Sequence, residues 1–342
     1  MRIDEFDYEL PEDLIAQTPA LERDKSRLLV VDRRTGSLSH RMFYEVIEYL
    51  NSGDILVVND TKVIPARLMA RRSTGGKVEV LLLRQVEPDI WECLVRPGHK
   101  VKVGEKVSVG VGEKGMTGTV LSRTDYGGRM IRWEYKGDWE ENLQRLGHTP
   151  LPPYIKMPLS DPSRYQTVYA RIPGSAAAPT AGLHFTEELL ERIRQKGVVV
   201  KSITLEVGLG TFRPVREEIV EHHKMHREHF TVNEETAAAI NDARERGGKL
   251  VAVGTTVVRA LETSALEDGT VRAFSGSTEL FIYPGYRFKA VDHLITNFHL
   301  PKSTLLMLVS AFAGKELIMK AYHEAIRERY RFYSFGDAML IL

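Results

Sequence analysis

His184 ends an unusual run of residues, and its imidazole is the first side chain in the sequence with a clear chemical use. Residues 174–186 are small and uncharged, and they lead into a helix that Thr186 can cap. Small residues let the backbone pass close to a ligand or to another element. A histidine there can titrate near neutral pH and act as a general base. The alternative is a tightly packed crossover in which His184 only hydrogen-bonds its own loop.

The segment from His222 to His229 is the densest group of titratable side chains. His222 and His226 are four residues apart, a spacing that places two metal ligands on one face of a helix. No glutamate follows His222 in the HExxH pattern, and the only cysteine, Cys93, is remote in sequence. The pattern therefore favours a polar helix face, or a contact with an anionic ligand, over a metal site.

Residues 206–214 (EVGLGTFRP) follow a predicted strand and contain two glycines, Gly208 and Gly210. Such a loop exposes backbone N–H groups, as nucleotide-binding loops do. The third glycine of a dinucleotide fingerprint is missing because Arg213 stands there. A dinucleotide site is therefore disfavoured, and a ligand-facing loop and an ordinary turn both remain open.

Two further strand ends carry hydroxyl and amide groups. Residues 254–256 (GTT) end one predicted strand, and residues 296–303 (TNFHLPKS) run from another strand into a helix capped by Ser303. The start of that helix could accept an anion, with Lys302 beside it. Open α/β sheets bind ligands at the carboxyl ends of their strands. Each segment alone could be a plain turn, but together they predict a ligand site at one sheet edge.

The elements that must position these residues alternate between strands and helices. Apolar strand patterns occur at residues 54–60, 198–207, 249–253 and 280–283. Helices with capping residues and terminal glycines are predicted at residues 186–197, 233–247, 303–314 and 315 to about 329. The alternation predicts an α/β fold with a mostly parallel sheet and helices on both faces.

Residues 63–150 differ in composition from the rest of the chain. They carry 15 Lys and Arg against 11 Asp and Glu, a net of +4, and they hold all three tryptophans. Short alternating runs separated by glycine turns predict a small all-β barrel or sandwich. A proline-rich, stiff connector is predicted at residues 149–158. The prediction is an α/β catalytic domain, residues 1–62 and 151–342, interrupted after its first strand by an inserted β-barrel domain, residues 63–150.

Composition limits the class of protein. The 342 residues are 43% hydrophobic and 27% charged with a net charge of +1, which excludes a disordered chain and a bulk polycation. One cysteine excludes an intrachain disulfide and fits a reducing compartment. The first residues are acidic rather than basic and apolar, and the longest strongly apolar stretch, residues 305–313, is too short to span a bilayer. We expect a cytoplasmic protein, and a monomer, because no heptad seam is apparent.

Long and chemically unusual motifs occur in order along the whole chain. They are residues 10–17 (LPEDLIAQ), 23–30 (RDKSRLLV), 59–67 (NDTKVIPAR), 150–155 (PLPPYI), 165–169 (YQTVY), 174–186 (GSAAAPTAGLHFT), 205–214 (LEVGLGTFRP), 223–226 (HKMH), 254–256 (GTT), 282–286 (IYPGY), 296–303 (TNFHLPKS) and 333–337 (YSFGD). Arg259 and Glu262 accompany the GTT motif. Together these motifs resemble the S-adenosylmethionine:tRNA ribosyltransferase-isomerases of queuosine biosynthesis. Val257 and Val258 depart from the smaller polar residues that the family pattern leads us to expect after GTT.

The resemblance implies a specific reaction. Enzymes of this family use S-adenosylmethionine as a ribosyl donor, and the acceptor is 7-aminomethyl-7-deazaguanine at the wobble position of a tRNA. The products are epoxyqueuosine in tRNA, adenine and methionine. The family fold is an α/β domain with an inserted β-barrel. S-adenosylmethionine is then a co-substrate, with no permanently bound cofactor and no metal.

The chemistry suggests roles within the segments that the resemblance identifies. A sulfonium acidifies the adjacent ribose C5′ protons, so the site needs a general base, a proton donor for adenine and hydrogen-bond donors for the carboxylate of methionine. The predicted acid–base residues are His184, His226 and His299, with Glu206 as a carboxylate partner. His184 is slightly favoured over His299 as the base. Residues predicted to bind the donor are Gly208, Gly210, Thr211, Arg213, Gly254, Thr255 and Thr256. Residues predicted to bind the tRNA substrate are Asp60, Lys62, Arg67, Arg71, Arg72, Tyr165 and Gln166.

Two other classes of function remain open at this point. One is a non-catalytic RNA-binding module, and the other is an S-adenosylmethionine-dependent RNA methyltransferase. The module is disfavoured because the unusual motifs lie outside the basic insert.

Overall fold

The computed structural model describes residues 1–124, 127–208, 215 and 217–342. Its chain divides into two compact units. Unit 1 contains residues 1–61, 152–172 and 178–342, and unit 2 contains residues 62–151 and 173–177. The grouping of residues 173–177 with the insert is not indicated by any pattern in the sequence.

The elements follow in chain order. The strands are β1 (Arg27–Asp32), β2 (Ser37–Met42), β3 (Ile55–Asn59), β4 (Thr61–Val63), β5 (Arg67–Arg72), β6 (Lys77–Glu87), β7 (Ile90–Arg96), β8 (Lys106–Val109), β9 (Met116–Arg123), β10 (Arg129–Glu134), β11 (Gly147–His148), β12 (Ile172–Ser175), β13 (Val199–Leu205), β14 (Glu228–Val232), β15 (Leu250–Val253), β16 (Phe274–Thr278), β17 (His293–Asn297) and β18 (Ala338–Ile341). The α-helices in the described ranges are α1 (Trp139–Leu146), α2 (Glu187–Gln195), α3 (Glu234–Glu245), α4 (Thr255–Ser264), α5 (Thr304–Ala313) and α6 (Lys315–Arg327).

Unit 1 is built on a nine-stranded sheet in the order β16-β14-β13-β3-β15-β17-β18-β1-β2. Strands β13, β3, β15 and β17 run parallel, and so does the pair β18–β1. The remaining neighbours are antiparallel. The sheet is therefore mixed, and the prediction of a mostly parallel sheet is not confirmed. The reason is connectivity: no α-helix separates β1 from β2 or, in the described residues, β13 from β14, and two successive helices precede β18.

Both faces of this sheet are buried. Alternate strand residues such as Leu28, Leu56 and Ile295 share one core with α2 and with the short 3₁₀ helices Phe43–Tyr49 and Thr180–His184. The intervening residues, such as Leu29 and Ile55, point to the other face because strand side chains alternate, and they are also fully buried. Helices α3, α4 and α6 contact the same strands.

The capping residues act as the sequence predicts. The side chains of Thr186, Asn233 and Ser303 accept hydrogen bonds from backbone N–H groups in the first turns of α2, α3 and α5. The predicted strand at residues 280–283 is wrong, and the strands in this region are β16 and β17. The apolar pattern at 280–283 serves loop packing, since Phe281 packs against both His223 and Tyr283. The insert also does not follow the first strand, because β1 and β2 precede β3.

Unit 2 contains a closed antiparallel barrel. Its order is β5-β6-β7-β10-β9-β8, and β8 pairs again with β5, while β11 extends from β5. Closure leaves the barrel without free sheet edges. Gly118 is required inside it, since a Cβ there would lie 2.7 Å from Ile131 and 3.0 Å from the Trp133 ring. Helix α1 begins after Asp138, whose carboxylate accepts from the backbone N of Glu141 at 3.0 Å.

None of the helices in the described residues has the length and apolar character needed to cross a membrane.

Candidate active site

A cleft lies at the carboxyl ends of parallel strands in unit 1. Residues directly after β13, β15 and β17 contribute to it: Val207, the segment 254–256 and the segment 298–300. Its other described lining residues are Tyr154, Ala178, Pro179, Thr180, Ala181, Thr296, Asn297, Leu305, Tyr333 and Ser334. This is the edge at which open α/β sheets bind ligands.

The start of helix α4 forms one wall of the cleft. Gly254 precedes the helix with φ +93°, a conformation that favours glycine, and its N–H donates to the Ile295 carbonyl at 2.8 Å. Thr255 and Thr256 are buried in the first turn, where N–H groups have no intrahelical partner. The Thr256 hydroxyl has no hydrogen-bond partner within the described chain. This wall suits a negatively charged group.

His299 presents one engaged and one available ring nitrogen to the cleft. Its Nε2 lies 2.9 Å from the Thr296 hydroxyl, and no contact of Nδ1 is found among the described residues. The Tyr322 hydroxyl accepts from the His299 backbone N at 2.8 Å, and the Tyr8 hydroxyl donates to the His299 carbonyl. Burial lowers the pKa of His299 to about 3, so the ring is neutral at pH 7. In the tautomer that donates Nε2–H to Thr296, Nδ1 is a free proton acceptor.

His184 differs because both of its ring nitrogens are engaged. Nδ1 lies 2.7 Å from the Ser26 hydroxyl, and Nε2 lies 3.2 Å from the Asn297 amide nitrogen. The ring stacks on Phe43 at 5.0 Å. Burial, and secondarily the charges of Arg331 and Arg23, lower the pKa of His184 to about 3. His184 does not line the cleft itself but contacts Asn297, which does.

Asn297 has a fixed amide orientation. Its Nδ2 donates to the Tyr333 carbonyl at 3.1 Å and to His184 Nε2, so both amide hydrogens are used. Its Oδ1 is buried without a hydrogen-bond partner in the described residues. Tyr333 adopts φ +71°, a strained conformation for a residue with a side chain. The strain and the orphaned oxygen both lie beside the cleft.

The predicted segment after β13 is only partly described. Glu206 is half-buried and its backbone N donates to the His229 carbonyl at 2.9 Å. The Gly208 N–H donates to Glu228 at 3.4 Å, and Glu228 forms a buried ion pair with Arg259. Neither Glu206 nor Gly208 lines the cleft, although Val207 between them does. Gly210, Thr211 and Arg213 lie outside the described residues.

His226 lies apart from the two buried histidines. It is exposed, and residues 223–227 form no helix, so the predicted helical face is wrong. The neighbouring His223 pairs with Glu217 at 2.9 Å, and His229 Nε2 contacts Ser277 at 3.1 Å. These side-chain contacts hold an irregular segment, which explains why the i, i+4 spacing does not produce a helix. In the chain as described, no three His, Cys, Asp or Glu side chains are grouped to hold a metal ion.

The substrate-binding predictions in unit 1 fall on buried polar positions. The Asp60 carboxylate accepts from Thr204 at 2.6 Å, from Ser202 at 3.0 Å and from Arg171 at 2.8 Å. Tyr165 is fully buried and packs edge-on against Phe335, and Gln166 is half-buried. The Asp60 carboxylate is therefore already hydrogen-bonded to side chains of the protein itself.

The cations predicted to bind substrate in unit 2 fall into two groups. Arg72 pairs with Glu105 at 2.5 Å, and Arg67 lies 3.4 Å from Glu79. Lys62 and Arg71 are exposed. Of these four cations, Lys62 and Arg71 have no carboxylate partner among the described residues, so their charges are available to a ligand.

The sequence predicts the segment 296–303 at a ligand site but gives no individual role to Thr296 or Asn297, and it gives none to Tyr154, Tyr333 or Ser334, all of which line the cleft. Thr296 and Asn297 end a buried strand, which is the signal that could have found them. Tyr333 and Ser334 lie in the YSFGD motif, and Tyr154 lies in PLPPYI. Nothing in the local pattern links the last two segments to the sheet edge.

Comparison with known proteins agrees with the motifs. The sequence model of the queuosine biosynthesis protein family matches residues 3–341. The chain is 61% identical to the S-adenosylmethionine:tRNA ribosyltransferase-isomerase of Symbiobacterium thermophilum and 59% identical to that of Caldanaerobacter subterraneus subsp. tengcongensis, in each case over 100% of both chains.

A solved structure is also similar. The crystal structure of an S-adenosylmethionine tRNA ribosyltransferase from Thermotoga maritima is 44% identical and has a TM-score of 0.56, covering 99% of this chain and 100% of that one. The resemblance inferred from the motifs is confirmed. The chain belongs to the queuosine biosynthesis protein family.

Proposed function

We propose that this chain is an S-adenosylmethionine:tRNA ribosyltransferase-isomerase. It transfers and isomerises the ribosyl group of S-adenosylmethionine onto 7-aminomethyl-7-deazaguanine at the wobble position of tRNA. The observation that carries the proposal is the 61% identity over the full length of a relative with that name. The cleft at the strand ends supports it, because its described lining is uncharged and places hydroxyl, amide and imidazole groups at the sheet edge where α/β folds bind ligands.

The reaction needs a base at the ribose C5′ carbon, and we propose His299 for that role. Its Nδ1 is available beside the cleft, whereas both nitrogens of His184 are occupied. Burial keeps the imidazole neutral, which is the form that accepts a proton. The same burial weakens the base, so the sulfonium must supply acidity at C5′. Thr296 orients the ring through Nε2.

The remaining steps follow from that proton transfer. The electron pair at C5′ expels the ring oxygen from C4′, and that oxygen expels adenine from C1′, where it becomes an aldehyde while adenine takes up a proton. The substrate amine adds to C4′ and loses a proton, and the regenerated C5′ carbanion attacks the C1′ aldehyde. The resulting oxyanion displaces methionine from C5′ as the epoxide closes. Gly208, Gly210, Thr211 and Arg213 stay proposed as residues that bind the donor. His226 stays proposed as an acid–base residue, and Glu206 as a carboxylate partner of the acid–base residues.

The two units divide these tasks in the proposal. Unit 1 is the catalytic α/β domain, and unit 2 is a barrel domain whose exposed cations, including Lys62 and Arg71, contact tRNA phosphates. Asp60, Tyr165 and Gln166 stay proposed as substrate-binding residues of unit 1, and Arg67 and Arg72 as substrate-binding residues of unit 2. We propose that the enzyme acts as a monomer in the cytoplasm, where its tRNA substrate is found.

Product analysis tests the proposal. The protein is incubated with S-adenosylmethionine and a tRNA that carries 7-aminomethyl-7-deazaguanine, and small molecules are separated by chromatography. Free adenine and methionine in equal amounts, together with a modified tRNA, are the expected result. S-adenosylhomocysteine would instead identify a methyltransferase. Binding of tRNA without either product would identify a non-catalytic module.

A further inference from the structure

We infer that Asn297 and Thr256 together bind the amino-acid end of the sulfonium donor, and that His184 is a positioning residue that fixes the Asn297 amide. The inference rests on the proposed function for the identity of the donor. It assigns to the donor's ammonium and carboxylate groups two buried polar atoms that lack partners among the described residues.

Asn297 supplies a hydrogen-bond acceptor. Its two amide hydrogens are committed to acceptors, His184 Nε2 and the Tyr333 carbonyl, so the amide cannot rotate without breaking both hydrogen bonds. The side chain is 4% exposed, and Oδ1 has no partner within the described chain. A buried carbonyl oxygen without a hydrogen bond destabilises the folded protein, unless a ligand donates a hydrogen bond to it. A group that donates N–H is the complement, and an ammonium is the strongest such donor.

Thr256 supplies a second orphaned polar atom on a different element. It is 8% exposed, lines the cleft, and has no partner for its hydroxyl among the described residues. It stands in the first turn of α4, a ten-residue helix whose N-terminal N–H groups and dipole favour an anion. The hydroxyl and the helix end together match a carboxylate.

The two atoms belong to neighbouring strand ends. Strand β15 pairs in parallel with β17, with Val253 opposite Ile295, and the Gly254 N–H donates to the Ile295 carbonyl. Thr256 and Asn297 follow these paired positions by three and two residues, and both line the same cleft. An α-amino acid carries its ammonium and carboxylate on one carbon and can reach both. The purine of the donor offers an amine but no anion for α4, which is why the amino-acid end fits better.

His184 explains why Asn297 holds its orientation. Because the Asn297 nitrogen donates to Nε2, the imidazole proton must be on Nδ1, where it donates to the Ser26 hydroxyl. The hydroxyl in turn donates to the Arg23 carbonyl at 3.2 Å. This series of hydrogen bonds runs in one direction, from the Asn297 amide through His184 and Ser26, and it ends on the backbone carbonyl of Arg23. His184 acts through Asn297, and it needs no contact with the donor.

Equilibrium dialysis without tRNA tests the inference with two probes. One is S-adenosylmethionine, and the other is 5′-deoxy-5′-dimethylsulfonioadenosine, which keeps the purine, ribose and sulfonium but lacks the amino acid. Thr256→Val and Asn297→Ala should each weaken binding of S-adenosylmethionine by roughly 10- to 100-fold, the usual loss for a hydrogen bond to a charged group. Both variants should bind the truncated probe as the wild type does. Equal losses for both probes, or no loss for either, would overturn the assignment.

The positioning role has its own readout. His184→Leu removes the acceptor for Asn297 and should show the same selective loss of S-adenosylmethionine affinity, whereas His184→Gln keeps an acceptor oxygen and should restore most of it. Indistinguishable affinities in these two variants would exclude the positioning role.

Controls separate the inference from folding and from the proposed function. Ser310→Ala removes another buried hydroxyl without a partner, on α5 outside the cleft, and should change neither affinity. If Asn297→Ala fails to fold, as judged by circular dichroism, Thr256→Val and the His184 pair decide the outcome. Failure of the proposed function would appear differently, as a wild-type protein that binds no S-adenosylmethionine or releases no adenine with modified tRNA.

Discussion

The cleft of unit 1 and the outer surface of the unit 2 barrel use polar side chains in opposite ways. The described residues that line the cleft include no Lys, Arg, Asp or Glu, and two of their buried polar atoms have no partner. On the barrel surface, some cations such as Arg71 are exposed, and others are paired with carboxylates, as in Arg72 with Glu105 and Arg84 with Glu92. The cleft therefore offers neutral polar groups to which a ligand can hydrogen-bond in a site of low dielectric constant. The barrel surface instead offers charges that are solvated by water. In our proposal, the cleft carries out the reaction and the barrel surface attracts the tRNA.

Loss of the proposed base should give the largest effect and would sharpen this comparison. His299→Gln should slow single-turnover ribosyl transfer by roughly 100- to 10,000-fold, the usual range for a lost general base. Donor affinity should change little, because Gln keeps a polar side chain beside Thr296. Rapid-quench measurement of adenine release under single-turnover conditions gives the rate.

His184→Gln is the matched variant, and its rate at saturating donor should stay within about tenfold of the wild type. Near-wild-type rates in His299→Gln would remove His299 from the mechanism. A loss in His184→Gln as large as that expected for His299→Gln would return the role of base to His184.

Acid should destabilise the cleft more than the barrel. Burial holds the pKa of both His184 and His299 at about 3, below the ordinary value of 6.5, so the unfolded chain binds protons between pH 6.5 and 3 that the native chain does not. The free energy of unfolding therefore falls as the pH drops through this window and is insensitive to these groups above it. Each histidine should contribute about 1 kcal/mol between pH 7 and about 5.5.

Urea unfolding at the two pH values measures this contribution. His299→Gln should remove one histidine's share of the pH dependence. An unchanged pH dependence in that variant would mean that His299 is protonated in the folded protein.

A smaller effect is expected on the barrel, in the salt dependence of tRNA binding. Arg71 and Lys77 are exposed near the cations Arg67 and Arg72, which are paired with carboxylates. The double variant Arg71→Ala and Lys77→Ala should lower the slope of log affinity against log salt by roughly 0.7–0.9 for each phosphate that the protein no longer neutralises. Filter binding at several salt concentrations gives the slope.

Arg67→Ala with Arg72→Ala provides the comparison within the same unit. That variant should change the slope less, because paired guanidinium groups have fewer N–H donors left for phosphate. Equal slopes in the wild type and in a variant lacking all four cations would show that this surface does not bind tRNA.

No effect at all is expected from metal removal. The proposed chemistry uses a sulfonium to acidify C5′ and needs no Lewis acid, so dialysis against a strong chelator should leave turnover unchanged. Activity that is lost and returns only with stoichiometric zinc would contradict this expectation and would turn attention to the segment from His222 to His229.

How much the sequence predicts depends on whether the signal is local. The starts of three helices can be predicted from their capping residues, because a cap accepts hydrogen bonds from N–H groups only two or three residues away. These caps are Thr186, Asn233 and Ser303. The strand ends at 254–256 and 296–303 identify the cleft for the same reason. Direction of pairing is a long-range property, so the antiparallel placement of β14 and β18 leaves no trace in either segment.

The histidines show the same limit. The sequence shows that His184 ends an unusual run of small residues. It does not show that both ring nitrogens are hydrogen-bonded, because their partners, Ser26 and Asn297, are remote along the chain. The spacing of His222 and His226 indicates a helical face, yet contacts with Glu217 and Ser277 hold that segment in an irregular form. Spacing alone does not determine which neighbours a side chain meets.

The place of β18 in the large sheet affects how the protein is made. Strand β1 has β18 as its parallel neighbour, and these partners are separated by almost the whole sequence. At ordinary translation speeds, a ribosome needs tens of seconds to synthesise the residues between them. Until then the β1–β2 hairpin has an apolar, unpaired edge and cannot join β17. That edge is therefore open to pairing with other chains during synthesis until β18 is made and covers it.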